Sequence, residues 1–297
     1  MNNGSDVARH SREYGDFDLI YPVIARRSGG LSLGVNLFPG AKCCNFDCPY
    51  CEVLPFEGGA AFDPERLESQ MDRYFQNNRD GLNESDSGRR LPLRDISLSG
   101  NGEPTLSPWL GAALEICSRM RRRYAFARDA ELVIITNSTG FLDHEVAELL
   151  RAWQKEAGLR LWAKLDAGMQ DWFERISGSD YDLRQICAAI ADFARDAPMP
   201  ITIQTMLCAL DGDAPGPGEA LAYADRINAM LERGALIWGI DFYTVARPCR
   251  SEKAKPLPAD SIRAFADIVG SRLAKPLRLK GFDQRGQIAL VQANAND

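Results

Sequence analysis

The chain has 297 residues, of which 45% are hydrophobic and 26% charged, the usage of a globular protein rather than of a disordered or fibrous one. It contains no run of about 18 apolar residues and no apolar signal-peptide core in its first thirty residues, so we expect a cytoplasmic protein without a membrane helix. The formal net charge of −6, without a long basic run, argues against a nucleic-acid partner, and clustered cysteines in a reducing compartment indicate metal or catalysis rather than disulfides.

The amino-terminal part of the chain predicts a strand and a helix on either side of a cysteine-rich loop. We interpret the polar, mixed residues 1–30 as an arm. Residues 31–38, LSLGVNLF, alternate apolar and small residues and predict a strand. Asp63 and Pro64 predict a helix start, with aspartate as N-cap and proline in the first position. The polar, turn-rich residues 77–93 predict a surface loop.

From residue 95 onward, strand-like and helix-like segments alternate, which predicts βα units with a parallel sheet. These later strands are predicted at 95–99, 132–136, 159–165, 201–207 and 237–245. With the segment at 31–38 the chain has six such strands, which are too few for a closed eight-stranded barrel. The predicted fold class is therefore α/β, a partial (β/α)6 barrel of the TIM type.

The carboxyl-terminal segment predicts a last helix followed by a short pair of strands. The helix is expected at about 259–273, and the strands at about 277–279 and 288–291. No linker is evident in the sequence. The predicted organisation is a single domain, with an arm at 1–30, a barrel core at 31–250 and a carboxyl-terminal extension at 251–297.

Four cysteines lie within nine residues of the segment 42–52, KCCNFDCPYCE. Cys44, Cys48 and Cys51 fit C-x3-C-x2-C, and three thiolates on a four-iron cluster leave one iron open to a small molecule. The alternative is a zinc knot that adds Cys43 as fourth ligand. Zinc sites usually draw cysteine pairs from two separated segments, so adjacent ligands would strain the tetrahedron. We expect iron and sulfide at this loop.

Two motifs together resemble the radical S-adenosylmethionine (SAM) superfamily: CNFDCPYC after the first predicted strand and SGNGEPTL at 99–106 after the second. The resemblance spans roughly residues 31–250. It implies an enzyme with a 4Fe–4S cluster on the three cysteines and SAM chelated to the open iron. Such enzymes cleave SAM reductively to a 5′-deoxyadenosyl radical that abstracts hydrogen from a substrate. The resemblance also implies a flavodoxin or ferredoxin as electron donor.

Further cofactor contacts are implied at the carboxyl ends of the predicted strands, where active sites of parallel α/β barrels lie. Glycines after the second strand would let the backbone approach a charged ligand, and the glutamate there would accept from an ammonium or shape its loop. The alternative role for the residues after strands three and four is that of surface or capping residues. The cofactor-binding residues implied by the resemblance are Tyr50, Gly100, Gly102, Glu103, Asn137, Ser138, Lys164, Asp166 and Gly239.

On the substrate side we predict Lys42, Arg247 and Cys249 as catalytic or contact residues. Further predicted contacts are Gln204, Asp241 and Tyr243. Arg247 suits an anionic group because its guanidinium presents a fork of donors. Cys249 could donate hydrogen or react as a thiol; the alternative is a structural role, as for Cys43.

The substrate itself is predicted to be a small molecule or a peptide. At finer grain, LSLGVNLFP, GNGEPTL, KLDAG and YTVARP are similar to the wyosine-base synthases, which act on a tRNA guanine. Those synthases carry a second cluster on extra amino-terminal cysteines, and residues 1–42 contain no cysteine. A tRNA base is therefore the alternative substrate. A non-catalytic zinc- or cluster-binding interaction protein is the alternative from a different functional class.

Overall fold

Strands and helices alternate along the computed structural model, which describes residues 17–25, 29–78, 82–83 and 90–290. The chain divides into two compact units. The first comprises residues 1–44, 53–135 and 155–160, and the second comprises residues 45–52, 136–154 and 161–297.

Within the described residues, the first unit contains four strands of one sheet, a separate pair of two-residue strands and two helices. Its strands are β1 (Ile20–Ala25), β2 (Gly30–Val35), β3 (Leu82–Asn83), β4 (Arg90–Leu91), β5 (Leu93–Leu98) and, in all but its last residue, β6 (Glu131–Thr136). Its helices are α1 (Pro64–Asn77) and α2 (Leu110–Arg123). β1 runs antiparallel to β2, while β2 pairs in parallel with β5, and β5 with β6. The carboxyl ends of β2 and β5 therefore lie at the same edge of this sheet.

The start of α1 follows the sequence prediction. The Asp63 side chain accepts a hydrogen bond from the Glu65 backbone N–H at 3.0 Å, and Pro64 occupies the first turn. Leu67, Met71 and Phe75 recur at helical spacing on the buried face of the helix. This apolar face fixes α1 in the core of the first unit because burial of large side chains dominates folding energetics.

The second unit contains five helices and most of the remaining strands of the described residues. The strands are β7 (Arg160–Lys164), β8 (Ile201–Met206), β9 (Cys208–Leu210), β10 (Ile237–Tyr243), β11 (Ala254–Pro256), β12 (Arg278–Phe282) and β13 (Gln287–Ile288). The helices are α3 (His144–Ala157), α4 (Gln170–Ser177), α5 (Leu183–Arg195), α6 (Pro217–Glu232) and α7 (Ala259–Arg272), with the last turn of α3 assigned to the first unit.

The strands β7, β8, β10 and β12 pair in parallel in that order, and β13 closes the edge antiparallel to β12. β9 and β11 form a separate antiparallel pair. The core between sheet and helices is aromatic: Tyr223, Phe242 and Phe265 lie with ring centroids 5.8–6.0 Å apart. Parallel strands covered by helices give long buried runs such as β8, all six residues of which are buried.

The predicted α/β class is confirmed, and each of the six predicted strands is present, as are the last helix and the final strand pair. β1, β9 and β11 were not predicted. In the predicted surface loop 77–93 the structure places the short pair β3 and β4, while residues 79–81 and 84–89 lie outside the described residues.

Two further expectations concern the chain as a whole. The division into arm, core and extension stays a prediction, and residues 1–16 of the arm lie outside the described residues. Within the described part of the chain, every helix is too short or too polar to cross a membrane.

Candidate functional site

The first part of the cysteine loop is fixed in the first unit by the loop that follows β5. The Cys43 backbone N–H donates to the Asn101 carbonyl at 3.0 Å, and the Cys43 carbonyl accepts from the Glu103 N–H at 2.8 Å. A Cβ added at Gly102 would lie 1.9 Å from the Cys43 carbonyl oxygen and 2.7 Å from the Phe38 ring. Only glycine allows this approach, so the motif GNGEPT holds the backbone that leads into Cys44.

Glu103 shapes the loop in which it lies. Its side chain is 3% exposed, and Oε1 accepts from the Thr105 N–H at 3.1 Å and from the Thr105 hydroxyl at 2.7 Å. These bonds cap a short 3₁₀ turn at Pro104–Leu106. Of the two roles considered for Glu103, an ammonium acceptor or a loop-shaping residue, the second is therefore visible in the structure.

The second part of the cysteine loop, residues 45–52, belongs to the second unit and forms a tight turn. The Cys51 N–H donates to the Cys48 carbonyl at 3.0 Å. The turn is anchored from outside: Arg250 N–H donates to the Cys51 carbonyl at 2.6 Å, and Ser251 N–H to the Pro49 carbonyl at 3.0 Å. The backbone around both cysteines is thus hydrogen-bonded.

The thiol donors fit an iron–sulfur cluster by chemistry and accessibility. Cys44, Cys48 and Cys51 are half-buried, and no described cysteine forms a disulfide. Among the described residues, no three His, Cys, Asp or Glu side chains stand close enough together to hold a single metal ion. A cluster binds each thiolate through a different iron, so its ligands do not have to converge on one point.

Tyr50, just before Cys51, takes part in a buried network with two residues at the end of β7. Its hydroxyl donates to Asp166 Oδ2 at 2.5 Å, and the Lys164 ammonium lies 3.1 Å from the same oxygen. Lys164 Nζ also donates to the Tyr243 hydroxyl at 2.5 Å, and the Met206 N–H donates to Asp166 Oδ1 at 2.8 Å. The structure thus brings together three of the predicted cofactor-binding residues and one predicted substrate contact.

The Lys164 ammonium is held in a charged form within this network. It lies 5.0 Å from the centroid of the Tyr50 ring and 5.1 Å from that of the Tyr243 ring, a geometry in which cation–π attraction operates. Burial acts to lower the pKa of Lys164, but the Asp166 carboxylate and Tyr243 outweigh it, so the pKa is raised above its usual value. Burial, with Asp166 and then Cys48, also raises the pKa of Tyr50, which therefore keeps its proton.

Asn137 and Ser138 are held in a second network, which includes an asparagine of the cysteine loop. The Asn137 amide donates to Asn45 Oδ1 at 2.7 Å, and the Asn45 amide donates to the Thr139 hydroxyl at 2.9 Å and to the Tyr181 hydroxyl at 3.1 Å. Ser138 is fully buried with φ +74°, and its hydroxyl donates to the Lys164 carbonyl at 3.0 Å. Asn45 was not predicted as a site residue. Its position between the predicted cluster ligands Cys44 and Cys48 is the sequence feature that could have indicated it.

Comparison with known proteins supports a fold assignment. No protein-family model matches the chain. A UPF0026 protein of Helicobacter pylori J99 is 28% identical over 245 residues, or 81% of this chain and 70% of the relative. A UPF0026 protein of Synechocystis sp. PCC 6803 is 27% identical over 193 residues, or 64% of this chain and 65% of the relative.

Solved structures match over most of the chain. A radical SAM methyltransferase from Sphaerobacter thermophilus matches with a TM-score of 0.59 and 16% identity over 85% of this chain and 67% of that one. TYW1 with a lysine–pyruvate adduct bound matches with a TM-score of 0.58 and 15% identity over 92% of this chain and 90% of that one. Streptococcus suis SuiB bound to SAM matches with a TM-score of 0.56 and 13% identity over 81% of this chain and 48% of that one. The chain has the radical SAM fold. The predicted resemblance is thereby confirmed at the level of the fold.

Within the radical SAM fold of this chain, the residues predicted for the substrate side are held by neighbouring groups. Lys42 Nζ donates to the Val53 carbonyl at 3.0 Å, in the first unit. In the second unit, Arg247 pairs with Glu52 at 2.6 Å, and the Cys249 thiol donates to the Ser251 carbonyl at 3.3 Å. Burial raises the pKa of Cys249. The catalytic roles of these three residues stay predictions.

Gly239 lies in β10, directly opposite Arg278 of the paired strand β12. A Cβ at this position would lie 2.4 Å from the Arg278 carbonyl oxygen. Strand pairing alone therefore accounts for a glycine here. Its role in binding the cofactor stays a prediction.

Proposed function

We propose that this protein is a radical SAM enzyme acting on a small-molecule or peptide substrate. The observation that carries the proposal is the loop C-x3-C-x2-C after β2 in a chain with the radical SAM fold. Cys44, Cys48 and Cys51 would hold a 4Fe–4S cluster. When bound, the cluster supplies the electron that cleaves SAM, and the resulting radical abstracts hydrogen from the substrate.

The protein's own residues would prepare the turn that carries two of the ligands. Bonds from residues 250 and 251 fix the backbone carbonyls of Pro49 and Cys51, so the thiols of this turn start from a defined backbone. Asp166 and Lys164 hold the Tyr50 ring in place beside Cys51. The Lys164 ammonium lies close enough to Cys48 to interact with it electrostatically, and a positive charge there would favour a thiolate, the form in which cysteine binds iron.

An enzyme explains more of the chain than a non-catalytic zinc- or cluster-binding protein would. A structural metal site requires the cysteines alone, and it gives no reason for a charged, largely buried lysine between two tyrosines. Burying such a charge is costly unless it is paired, so an elaborate pairing beside the cysteine turn points to a working site. A flavodoxin or ferredoxin is the proposed electron donor.

The test is anaerobic reconstitution of the cysteine variants. The parent protein should take up about four irons per chain and release 5′-deoxyadenosine when reduced by dithionite with SAM. Cys44→Ala should abolish both, because it removes a ligand. Cys43→Ala should retain both, because the Cys43 side chain is exposed and its anchoring bonds are made by the backbone. Binding of one zinc without SAM cleavage, or the reverse result for the two variants, would contradict the proposal.

A second candidate substrate is a tRNA base. It is favoured by the match to the wyosine-synthase-like TYW1, which covers 92% of this chain and 90% of that one. The net charge of −6 and the absence of cysteine in residues 1–42 argue against it. Incubating the reduced enzyme and labelled SAM separately with a tRNA pool and with a metabolite extract distinguishes the two, since only the true substrate pool accelerates 5′-deoxyadenosine formation.

A further inference from the structure

A polar cavity of about 320 Å³ lies in the first unit, beside the loop that follows β5. It is lined by carboxylates, amides and three apolar side chains, including Asp18, Asn36, Pro39, Phe56, Glu57 and Asn101. None of the lining residues is among those assigned above to the cluster or to SAM. The volume is at the lower end of the range for small-molecule sites.

The walls of the cavity are preformed by the chain's own hydrogen bonds. Asn36 Oδ1 accepts from the N–H groups of Phe38 at 3.1 Å and Asn101 at 3.3 Å, and the Asn36 amide donates to the Asp18 carbonyl at 3.2 Å. On the opposite side, the Gly59 N–H donates to the Gly40 carbonyl at 3.2 Å. A ligand would therefore enter an ordered cavity and bear little cost of ordering it.

Two acceptors of the cavity remain available for a ligand. Asn101 is only 5% exposed; its amide N–H donates weakly to the Phe38 carbonyl at 3.4 Å, and its Oδ1 has no hydrogen-bond partner within the described ranges. The Glu57 carboxylate forms no ion pair or hydrogen bond with any other described residue. By contrast, Asp18 is already paired with Arg66 at 3.2 Å and accepts from Gln70 at 2.7 Å.

The chemistry of the lining selects the ligand. No lysine or arginine lines the cavity, so it offers acceptors and negative charge but no cation for an anionic group. Phe56 and Pro39 supply an apolar surface against which a short alkyl chain can pack. We propose that this cavity binds a small primary amine, with its ammonium between Glu57 and Asn101 Oδ1 and its carbon chain along Phe56. The inference does not depend on the proposed function.

The experiment is calorimetric titration of the reconstituted protein with 1,4-diaminobutane and, separately, with succinate, a dianion of equal length. The diamine should bind and succinate should not. Glu57→Gln should weaken diamine binding about tenfold or more, since a charge-assisted hydrogen bond is lost. The matched control is Glu65→Gln, an equal charge change on the exposed surface of α1 outside the cavity, which should leave binding unchanged.

Several results would overturn the inference. One is that the diamine does not bind, and a second is that the parent and Glu57→Gln bind it equally. A third is that Glu65→Gln weakens diamine binding as much as Glu57→Gln does, which would indicate general electrostatic attraction. Displacement of the diamine by SAM would also overturn it, because the cavity would then belong to the cofactor site. Iron content and SAM cleavage, measured on the same preparation, report on the proposed function separately.

Discussion

At the scale of single residues, the Tyr50–Asp166–Lys164–Tyr243 network shows which features of the site can be predicted from the sequence and which cannot. All four residues could be selected from the sequence because each lies next to a cysteine or at the end of a strand. Their mutual bonds depend on register: Lys164 pairs with Gln204 of β8, and Tyr243 pairs with Met206 of the same strand. The Lys164–Tyr243 hydrogen bond therefore spans β8. It depends on how the strands pair, which the order of residues along the chain does not reveal.

Gly102 gives a residue-scale prediction about the loop that leads into the cysteines. Gly102→Ala places a methyl group 1.9 Å from the Cys43 carbonyl, so the backbone around Cys43 has to move. We expect a loss of about 1–3 kcal/mol in the free energy of unfolding, the usual cost of overpacking, together with reduced iron uptake. Urea denaturation and iron analysis measure the two effects.

The matched control for this substitution is Gly216→Ala. Gly216 has a φ of −93°, and no atom would lie within 4 Å of the added Cβ. It should keep the parent iron content and lose less stability than Gly102→Ala, with a small loss expected because Gly216 is the N-cap of α6, where alanine is less favourable than glycine. Equal effects of both substitutions would show that the close packing of Gly102 against Cys43 has no special importance.

At the scale of elements, hydrophobic alternation was sufficient to find the parallel strands but not the marginal ones. β1 contains Pro22, which argues against a strand interior because proline cannot donate to a ladder. It is tolerated because β1 pairs with β2 alone among the described strands and so lies at an edge. β9 and β11 have three residues each, and their paired residues lie more than forty positions apart in the sequence. The local alternation of apolar and polar residues therefore could not predict these two strands.

Glu219 gives an element-scale prediction about the start of α4. Met169 caps that helix without a side-chain hydrogen bond, and the buried Glu219 carboxylate, from the first turn of α6, accepts from the N–H groups of Gly168 and Met169. Glu219→Ala should lower the free energy of unfolding by about 1–3 kcal/mol, because it leaves buried donors unsatisfied. Glu219→Gln keeps one acceptor oxygen and should cost less.

The urea midpoint of each variant measures this effect, provided the denaturant slope is unchanged. Glu232→Ala, at the exposed end of the same helix, should stay within about 0.5 kcal/mol of the parent. If Glu219→Ala behaved like this control, the carboxylate would not be the cap of α4.

At the scale of the whole molecule, seven of the eight cysteines fall into two groups with different chemistry, and Cys249 belongs to neither. Cys117, Cys187 and Cys208 are buried, and burial raises the pKa of each to about 12. The cysteines of the loop are exposed or half-buried. Cys117 and Cys187 lie on the buried faces of α2 and α5, which accounts for the burial of both thiols.

Alkylation of the native protein tests this division. At pH 8 a thiol of pKa about 12 is ionised to roughly one part in ten thousand, so iodoacetamide should spare Cys117, Cys187 and Cys208 while it labels the loop cysteines. Reconstitution before alkylation should protect Cys44, Cys48 and Cys51 from iodoacetamide but leave Cys43 reactive. Mass spectrometry of tryptic peptides reads the pattern, and urea-unfolded protein, in which every cysteine should react, is the control. Labelling of Cys117 in the native state would contradict the assignment.

The anchoring of the turn at residues 48–51 by Arg250 and Ser251 has a consequence for biosynthesis. A ribosome delivers the cysteines early and their backbone anchors only after most of the chain has been made. The nascent protein therefore carries reactive thiols on an unfixed loop throughout translation. Insertion of the proposed cluster is expected to follow release of the chain, and the proposal requires that a cell keep those thiols reduced and free of competing metals until then.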